Sequence, residues 1–478
     1  MSGAAPHHVH FVAIGGTGMG SLAGLLKARG LRVTGSDRAL YPPMSTALAD
    51  GGIPVTEGFD PQNVLAQPPD LVVIGNAVRP DNAEAQAALN AGLPVRSFPD
   101  ALYELAIAEK HCLAVCGTHG KTTTTSLCAF ILEATGRRPS FLIGGIAENF
   151  GASFGEGQGE HFVVEGDEYD TAFFDKTPKF LHYHPETAIV TSVEFDHADI
   201  YRDLDHVKSA FRQLVAEMPE DGTLVVAGRH SGVRAILSDA RCRVVEYGIE
   251  GEKSDRLPLD REAVDISVTE RGTRFTVRTA EGSEYPAEIP LFGRFNVENA
   301  LAALSACESL GVGLEESIAV LTEFKGVKRR QEIRGRVRGV TVMDDFAHHP
   351  TAVKGAIQSV RSRFPKGRLI AVFEPRTNTS RRRIFQEQYE EALVGADRVL
   401  VFRVAEEPIY SATGEVTELF SADELVTRLR GRDVDASALS EVQEIVDTLS
   451  REAQDGDTIL VMSNGAFGNI WERVLAAL

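Results

Sequence analysis

An apolar run that ends in glycine and restarts as a helix constrains this chain more than any other feature. Cys112-Leu113-Ala114-Val115-Cys116 reads as a buried strand and Gly117-Thr118-His119-Gly120-Lys121-Thr122-Thr123 follows at once. An apolar helix then continues through Leu127, Phe130, Ile131 and Leu132. Strand, glycine loop and helix in that order cradle phosphate. Backbone N–H groups wrap the oxygens, Lys121 reaches the β and γ positions, and the Thr122 hydroxyl can hold Mg²⁺. The loop is short: two residues, Thr118 and His119, separate its first glycine from the Gly-Lys pair, where the usual motif has four. The bland alternative is an ordinary turn that happens to contain a lysine, and the strand–loop–helix context weighs against it.

A polyphosphate loop implies acidic metal ligands at neighbouring strand ends, because open parallel sheets bind ligands at their carboxyl edges and Mg²⁺ prefers oxygen. Two such places exist. Phe162-Val163-Val164 runs into Glu165-Gly166-Asp167-Glu168-Tyr169-Asp170, and Ala188-Ile189-Val190-Thr191 runs into Ser192-Val193-Glu194-Phe195-Asp196-His197-Ala198-Asp199. Most of these acids are expected to be solvated loop charges or helix caps, with Glu165 and His197 beside the metal.

Ahead of this segment stands a βαβ pattern: a strand at residues 9–14, a glycine turn Gly15-Gly16-Thr17-Gly18-Met19-Gly20, a helix at 21–29, and a strand at 31–36 ending at Asp37. A further strand, 71–74, is followed by Gly75-Asn76. Such a turn suits a pyrophosphate at a helix N-terminus, and a merely tight turn fits it as well. A dehydrogenase with Asp37 on a ribose is one candidate, but it leaves the phosphate loop without a task.

Residues 223–290 turn strand-rich, with 273–279 alternating as an antiparallel strand and 252–260 polar as a surface loop. Asn296 and Asn299 share the first turn of an alanine-rich helix, where exposed asparagines usually act as caps. After Lys328-Arg329-Arg330-Gln331 come strands at 340–343, 369–373, 399–402 and 458–462, separated by helical patterns. Each ends in polar residues, among them Glu374-Pro375-Arg376-Thr377-Asn378 and Ser463-Asn464-Gly465. The expected class is α/β throughout, with mainly parallel sheets.

Length and charge narrow the field. A chain of 478 residues suggests about three domains. With 49 basic against 68 acidic residues, a net charge of −19 is poor material for a general nucleic-acid binder. No apolar run is long enough to cross a membrane, and no secretory signal opens the chain, so a cytoplasmic setting is expected. Five cysteines (Cys112, Cys116, Cys128, Cys242, Cys307) read as reduced and mostly buried, without ligand spacing for zinc.

Taken in order, the glycine-turn unit, Gly-Thr-His-Gly-Lys-Thr-Thr-Thr-Thr, Glu-x-Asp-Glu, Glu-x-Asp-His and Asp344-Asp345-Phe346-Ala347-His348-His349-Pro350 span nearly the whole chain. This resembles the three-domain muramyl ligases, ATP-dependent enzymes that build the peptide stem of bacterial cell wall. The resemblance implies a Rossmann-like UDP-sugar domain (1–108), a central P-loop ATPase domain (109–331) and a Rossmann-like C-terminal domain that brings the amino acid or peptide (332–478). The stretches Glu168-Tyr169-Asp170-Thr171-Ala172-Phe173-Phe174-Asp175-Lys176, Glu374-Pro375-Arg376-Thr377-Asn378-Thr379 and Met462-Ser463-Asn464-Gly465-Ala466-Phe467-Gly468 resemble one branch of the family. That branch joins UDP-N-acetylmuramate to the recycled tripeptide L-alanyl-γ-D-glutamyl-meso-diaminopimelate. The L-alanine-adding branch is the alternative, and a nucleotide-driven switch protein is the rival from another class.

The resemblance also implies roles. Gly117 through Thr123 would bind ATP, with Mg²⁺ at Thr122, Glu165 and His197. Asn296 and Asn299 would lie on the adenine side, Arg330 near the γ-phosphate and Asp345 on the ribose. Gly16, Gly18, Asp37, Asn76 and Arg79 would meet the UDP-sugar. His348 could position or deprotonate the attacking amine. At the far end of the peptide, Arg376 would pair a carboxylate and Asn378 orient an amine, with Ser463 and Asn464 adding to them. Two departures accompany this. Several relatives bridge a second metal with a carbamylated lysine, and here Arg212 stands at or next to that position. Ser192 stands where asparagine is expected.

Overall fold

The computed structural model describes residues 6–40, 44–251, 259–404, 409–411, 414–416 and 418–478. The chain divides into two compact units, residues 1–193, 208–262 and 301–320 in one and 194–207, 263–300 and 321–478 in the other.

The first unit opens with a five-stranded sheet, all parallel. Its strands are β1 (His8–Val12), β2 (Arg32–Asp37), β3 (Val55–Glu57), β4 (Leu71–Ile74) and β5 (Val95–Ser97), in the order β3-β2-β1-β4-β5. Strand β1 stops two residues before the sequence pattern does, because Ala13 turns left-handed at φ 66° and both Ala13 and Ile14 give their N–H to Ser36 O. Helix α1 (Thr17–Ala28) correspondingly starts inside the glycine turn, four residues before the apolar periodicity begins.

A second sheet follows in the same unit. It contains β6 (His111–Cys116), β7 (Ser140–Ala147), β8 (Ala152–Gly155) and β9 (His161–Gly166). A hairpin of β10 (Asp170–Ala172) and β11 (Asp175–Pro178) stands apart, and β12 (Thr187–Val190), β13 (Thr223–Ala227) and β14 (Arg243–Ile249) complete the sheet. The order β14-β13-β12-β6-β9-β7-β8 is parallel except at β7–β8. Strand β6, flanked by β12 and β9, is buried from Cys112 to Cys116. That is why its sequence is a continuous apolar run rather than an alternating one. Strand β15 (Arg261–Val268) leads out of the first unit.

In the second unit β16 (Thr273–Thr279) and β17 (Glu284–Ile289) pair antiparallel, as the alternation of 273–279 predicts. Most of the polar stretch 252–260 lies outside the described residues. The unit's main sheet is built from β18 (Glu332–Val337), β19 (Val340–Asp345), β20 (Leu369–Phe373) and β21 (Arg398–Phe402). A small hairpin, β22 (Ile409–Ser411) with β23 (Gly414–Val416), interrupts the series before β24 (Asp435–Leu439) and β25 (Thr458–Met462). The order is β18-β19-β25-β20-β21-β24, parallel but for the edge pair β18–β19. Leu369, Ala371 and Phe373 feed one buried cluster while Ile370 and Val372 feed another, so β20 is covered on both faces. No helix among the described residues is long and apolar enough to cross a membrane. All five cysteines are free and buried.

Candidate active site

In the first unit the phosphate loop joins β6 to helix α2 (Lys121–Ala134). Gly117 has φ 124°, and a Cβ there would lie 2.2 Å from Thr191 Oγ1, so only glycine fits. The end of β12 braces the loop: Thr118 N donates to Ser192 O at 3.0 Å, His119 N donates to Ser192 Oγ at 3.0 Å, and Thr191 Oγ1 donates to His119 O at 2.5 Å. Ser192, the departure noted in the sequence, thus has a task in holding the loop's shape.

Lys121 Nζ is buried and donates to Gly117 O at 2.7 Å and to Glu168 Oε2 at 2.8 Å. Burial opposes its charge, yet Glu168, Asp167 and Glu165 outweigh that and hold its pKa above the usual lysine value. Beside it, Thr122 Oγ1 donates to Glu165 Oε1 at 2.9 Å, and Gly144 N donates to Glu165 Oε2 at 2.7 Å. Glu165 sits at the end of β9, paired in register with Val115. Glu168, which ties down the loop lysine, was not singled out from the sequence, although it stands in the acidic run that was. Arg212 is exposed, and its Nε and Nη2 donate to Ala235 O, an arrangement unrelated to metal holding.

The glycine turn lies at the carboxyl end of β1. Gly16 is exposed and Gly18 approaches only Phe98, 3.5 Å from where its Cβ would stand. Asp37 accepts Gly15 N through Oδ2 and Arg38 N through Oδ1, each at 2.7 Å, so its carboxylate pins the turn to β2. Asn76 and Arg79 are exposed after β4.

In the second unit His197 takes a left-handed backbone, φ 51°, and its N–H reaches Asp196 Oδ1 at 2.7 Å. Asp196 is buried between rings, with His197 Nε2 at 3.8 Å and His348 Nε2 at 3.9 Å from its Oδ2. Burial raises its pKa, but His197, His348 and His349 together hold it well below the carboxylate range. His348 Nδ1 donates to Phe346 O at 3.1 Å, and burial pushes the ring's pKa down against the pull of Asp196. The ring is therefore neutral near pH 7, with its lone pair on Nε2. Nothing in the sequence distinguished Asp196 from the other acids of its run.

Asn296 and Asn299 are buried rather than exposed caps. On helix α3 (Arg294–Ser309), Asn299 Nδ2 donates to Asn296 Oδ1 at 3.1 Å, and Asn296 Nδ2 donates to Phe292 O at 2.8 Å. Arg330 lies 4.7 Å from the centre of the Phe346 ring. Asp345 accepts Gln331 N at 2.9 Å and Ala347 N at 2.7 Å; burial raises its pKa, while Arg330 pulls the other way.

Farther along the same sheet edge, Arg376 and Asn378 are exposed, and Asn378 Nδ2 donates to Asp199 Oδ2 at 3.3 Å. Ser463 is fully buried: its hydroxyl donates to Glu374 Oε2 and accepts Gly465 N at 2.9 Å. Its side chain shapes the strand end from beneath and is spent on that contact. Asn464 is half-buried, and its Oδ1 has no hydrogen-bond partner among the described residues.

Comparison with known proteins matches three family models along the chain. They are the Mur ligase family catalytic domain at residues 8–110, the Mur ligase middle domain at 115–307, and the Mur ligase glutamate ligase domain at 329–465. The UDP-N-acetylmuramate–L-alanyl-γ-D-glutamyl-meso-2,6-diaminoheptandioate ligase of Escherichia coli (strain K12) is 38% identical over 471 residues, covering 98% of each chain. A UDP-N-acetylmuramate–L-alanine ligase from Caldanaerobacter subterraneus is 33% identical, over 98% of this chain and 97% of its own. The crystal structure of a murein peptide ligase from Psychrobacter arcticus superposes with a TM-score of 0.73 at 34% identity, over 98% of each chain.

Proposed function

The chain belongs to the Mur ligase family, ATP-dependent enzymes that form amide bonds. We propose that it joins UDP-N-acetylmuramate to the tripeptide L-alanyl-γ-D-glutamyl-meso-diaminopimelate. The observation that carries the chemistry is the buried Lys121 at the head of α2, with the Thr122–Glu165 pair beside it. The tripeptide is favoured by the tripeptide-joining relatives, 36% and 38% identical over 98% of this chain, against 32–36% for the alanine-adding relatives.

The lactyl carboxylate of the muramic acid attacks the γ-phosphorus of ATP, and ADP leaves. The α-amine of the peptide then attacks the acyl carbon of the resulting acyl phosphate and inorganic phosphate departs. Carboxylate and phosphate repel one another in the first step. Lys121 and Arg330 offset this, since positioning and charge stabilisation are most of what phosphoryl transfer needs from a protein. A hydroxyl and a carboxylate 2.9 Å apart make a hard oxygen donor pair that fits Mg²⁺, so Thr122 and Glu165, with His197, would hold it. When bound it supplies charge neutralisation at the phosphates.

The loop Gly117, Thr118, His119, Gly120, Thr122 and Thr123 wraps the phosphates, Asn296 and Asn299 support the adenine side, and Asp345 faces the ribose. Gly16, Gly18, Asp37, Asn76 and Arg79 receive the UDP-sugar. A neutral His348, its Nε2 3.9 Å from Asp196 Oδ2, suits a group that takes the amine's proton and is then stabilised by that carboxylate. Arg376, with Asn378, Asn464 and the buried Ser463 behind them, receives the far end of the peptide. The domains in this reading are 1–108, 109–331 and 332–478, and the setting is the cytoplasm, where ATP and UDP-sugars are found.

ADP release at saturating UDP-N-acetylmuramate, measured with tripeptide and with L-alanine in turn, tests the reading. Turnover is expected to be faster with tripeptide. Faster turnover with L-alanine sinks it and promotes the alanine ligase.

A further inference from the structure

Gly465 stands in the turn after β25, and its φ lies outside the left-handed region, so its backbone makes no demand for glycine. The demand comes from a side chain. A Cβ at this position would lie 1.7 Å from Arg376 Nη1, 2.6 Å from Arg376 Cζ and 2.9 Å from Arg376 Cδ, and these are its three nearest heavy atoms. The Nη1 side of the Arg376 guanidinium therefore lies directly against the bare Cα of Gly465.

The turn beneath it cannot give way easily. Gly465 N donates to Ser463 Oγ at 2.9 Å, and Gly465 O accepts Arg329 Nη2 at 2.8 Å. The same Arg329 nitrogen holds Ser463 O at 2.7 Å, and Arg329 Nε pairs with the buried Asp344 at 3.1 Å. Arg329 is itself packed between rings, its Cζ 5.4 Å from the centre of Phe346 and 5.3 Å from that of Trp471. Ser463 is anchored in turn by Glu374, two residues before Arg376 on the neighbouring strand end. The shelf is rigid and the arginine lying on it is exposed and flexible, so any crowding at 465 moves the arginine.

We propose that Gly465 is a specificity-determining residue for the peptide substrate. Its missing side chain forms a shelf that orients the Arg376 guanidinium toward the distal carboxylate, and Arg329 holds the shelf in place. The inference rests on the reading of Arg376 as the carboxylate partner. It adds that the orientation is imposed by shape at residue 465 rather than by an ion pair. Among the described residues Arg376 makes no ion pair within 4 Å; Glu374, whose Oε2 accepts the Ser463 hydroxyl, feels its charge only from farther off.

The test is a double-mutant cycle on the full chain with Gly465→Ala and Arg376→Ala, reading KM and kcat for tripeptide and KM for ATP and UDP-N-acetylmuramate. Removing a charged hydrogen-bond partner costs about 30-fold in tripeptide KM for Arg376→Ala, and displacing it costs about fivefold for Gly465→Ala. The KM values for ATP and the UDP-sugar stay near wild type in both. In the Arg376→Ala background, Gly465→Ala has no further effect on tripeptide KM. If Gly465→Ala lowers the melting temperature, the double variant restores it, because the colliding guanidinium is gone. If Arg376→Ala leaves tripeptide KM unchanged, the carboxylate reading of Arg376 fails, and this inference with it. If Arg376→Ala raises that KM while Gly465→Ala is neutral, or the two effects add, the shelf alone is overturned. A double variant that stays unfolded also overturns it, since the glycine would then serve the backbone.

Discussion

Two cations of this molecule are held by opposite means. Lys121, in the phosphate loop, is buried and fixed by charge: Glu168 pairs with it directly, and Asp167 and Glu165 add to the field that keeps it protonated. Arg376, at the carboxyl edge of the C-terminal sheet, is exposed and placed by shape, resting on the bare Cα of Gly465. The difference follows from what each must meet. A phosphate binder has to keep its charge while desolvated, and in a protein interior only neighbouring carboxylates can ensure that. A carboxylate binder at an exposed edge keeps its charge without help, and needs a defined plane for a two-pronged contact.

Breaking the charge-held side should give the largest effect. Lys121→Ala is expected to lower kcat about 100- to 1000-fold, the usual cost of losing one preorganised electrostatic contact. It also removes the cation paired at 2.8 Å with Glu168, which is 2% exposed, so the melting temperature should fall as well. Lys121→Ala with Glu168→Gln separates the two losses: thermal stability recovers and ligation does not. Near-wild-type turnover in Lys121→Ala removes the lysine from the mechanism.

Next in size come the metal-side groups. Glu165→Gln and His197→Ala should each raise the Mg²⁺ concentration for half-maximal activity about tenfold, comparable to the mutation of groups that bind or orient a metal. The requirement for UDP-sugar should move less. Unchanged Mg²⁺ dependence in both variants makes the two residues structural. On the shape-held side, Arg376→Lys should raise tripeptide KM about tenfold, because an ammonium keeps the charge and loses the plane. A lysine variant with wild-type KM would show that charge alone suffices there, and the contrast between the two cations would collapse.

The phosphate loop and the order of elements were legible because their signals are local. A buried parallel strand writes itself as a continuous apolar run, and Cys112 to Cys116 leaves little choice of structure. Strand ends were less legible. Nothing in Ala13 or Ile14 announces that Ala13 turns left-handed, since that turn is held by Ser36 O on the neighbouring strand. The supporting contacts of the site were least legible, because they join residues far apart in sequence. Glu168 answers Lys121 across 47 positions and Ser463 answers Glu374 across 89. Gly465 looked like part of a polar strand end, and its role emerges only with the side chain that lies over it. Asn296 and Asn299 went the other way: their type suggested exposed caps, and helix packing buried them.

As pH rises, charge-held pairs break only where the cation can lose its proton, and one further pair in the first unit makes that testable at the smallest scale. His182 Nδ1 bonds Asp100 Oδ1 at 2.8 Å, while Nε2 meets Thr177 Oγ1 at 2.8 Å and Asp175 Oδ2 at 3.5 Å. The contact joins the helix that follows β5 to β11. Burial disfavours the charged ring, but the hydrogen bond and charge of Asp100, with Asp175 and Glu217, prevail and raise its pKa. A raised folded pKa means the stabilisation is complete below the unfolded imidazole value near 6.5 and fades as pH climbs through the folded one. Asp100, whose pKa is depressed despite burial by its bonds to His182 and Ser97, fades only at the acid end. Between pH 6 and pH 8.5 the pair should therefore weaken, by about 0.5 kcal/mol after allowing for solvent screening of a half-buried contact. His182→Asn keeps a donor for Asp100 and removes the titration. Denaturant midpoints of wild type and His182→Asn at the two pH values give the double difference, with wild type expected to lose more on going alkaline. Lys121 sits in a field of the same kind, but its raised pKa keeps it charged over this whole range, so activity lost between these pH values should not trace to it. Equal losses in the two proteins would mean that the carboxylates around His182 hold a ring that never changes charge.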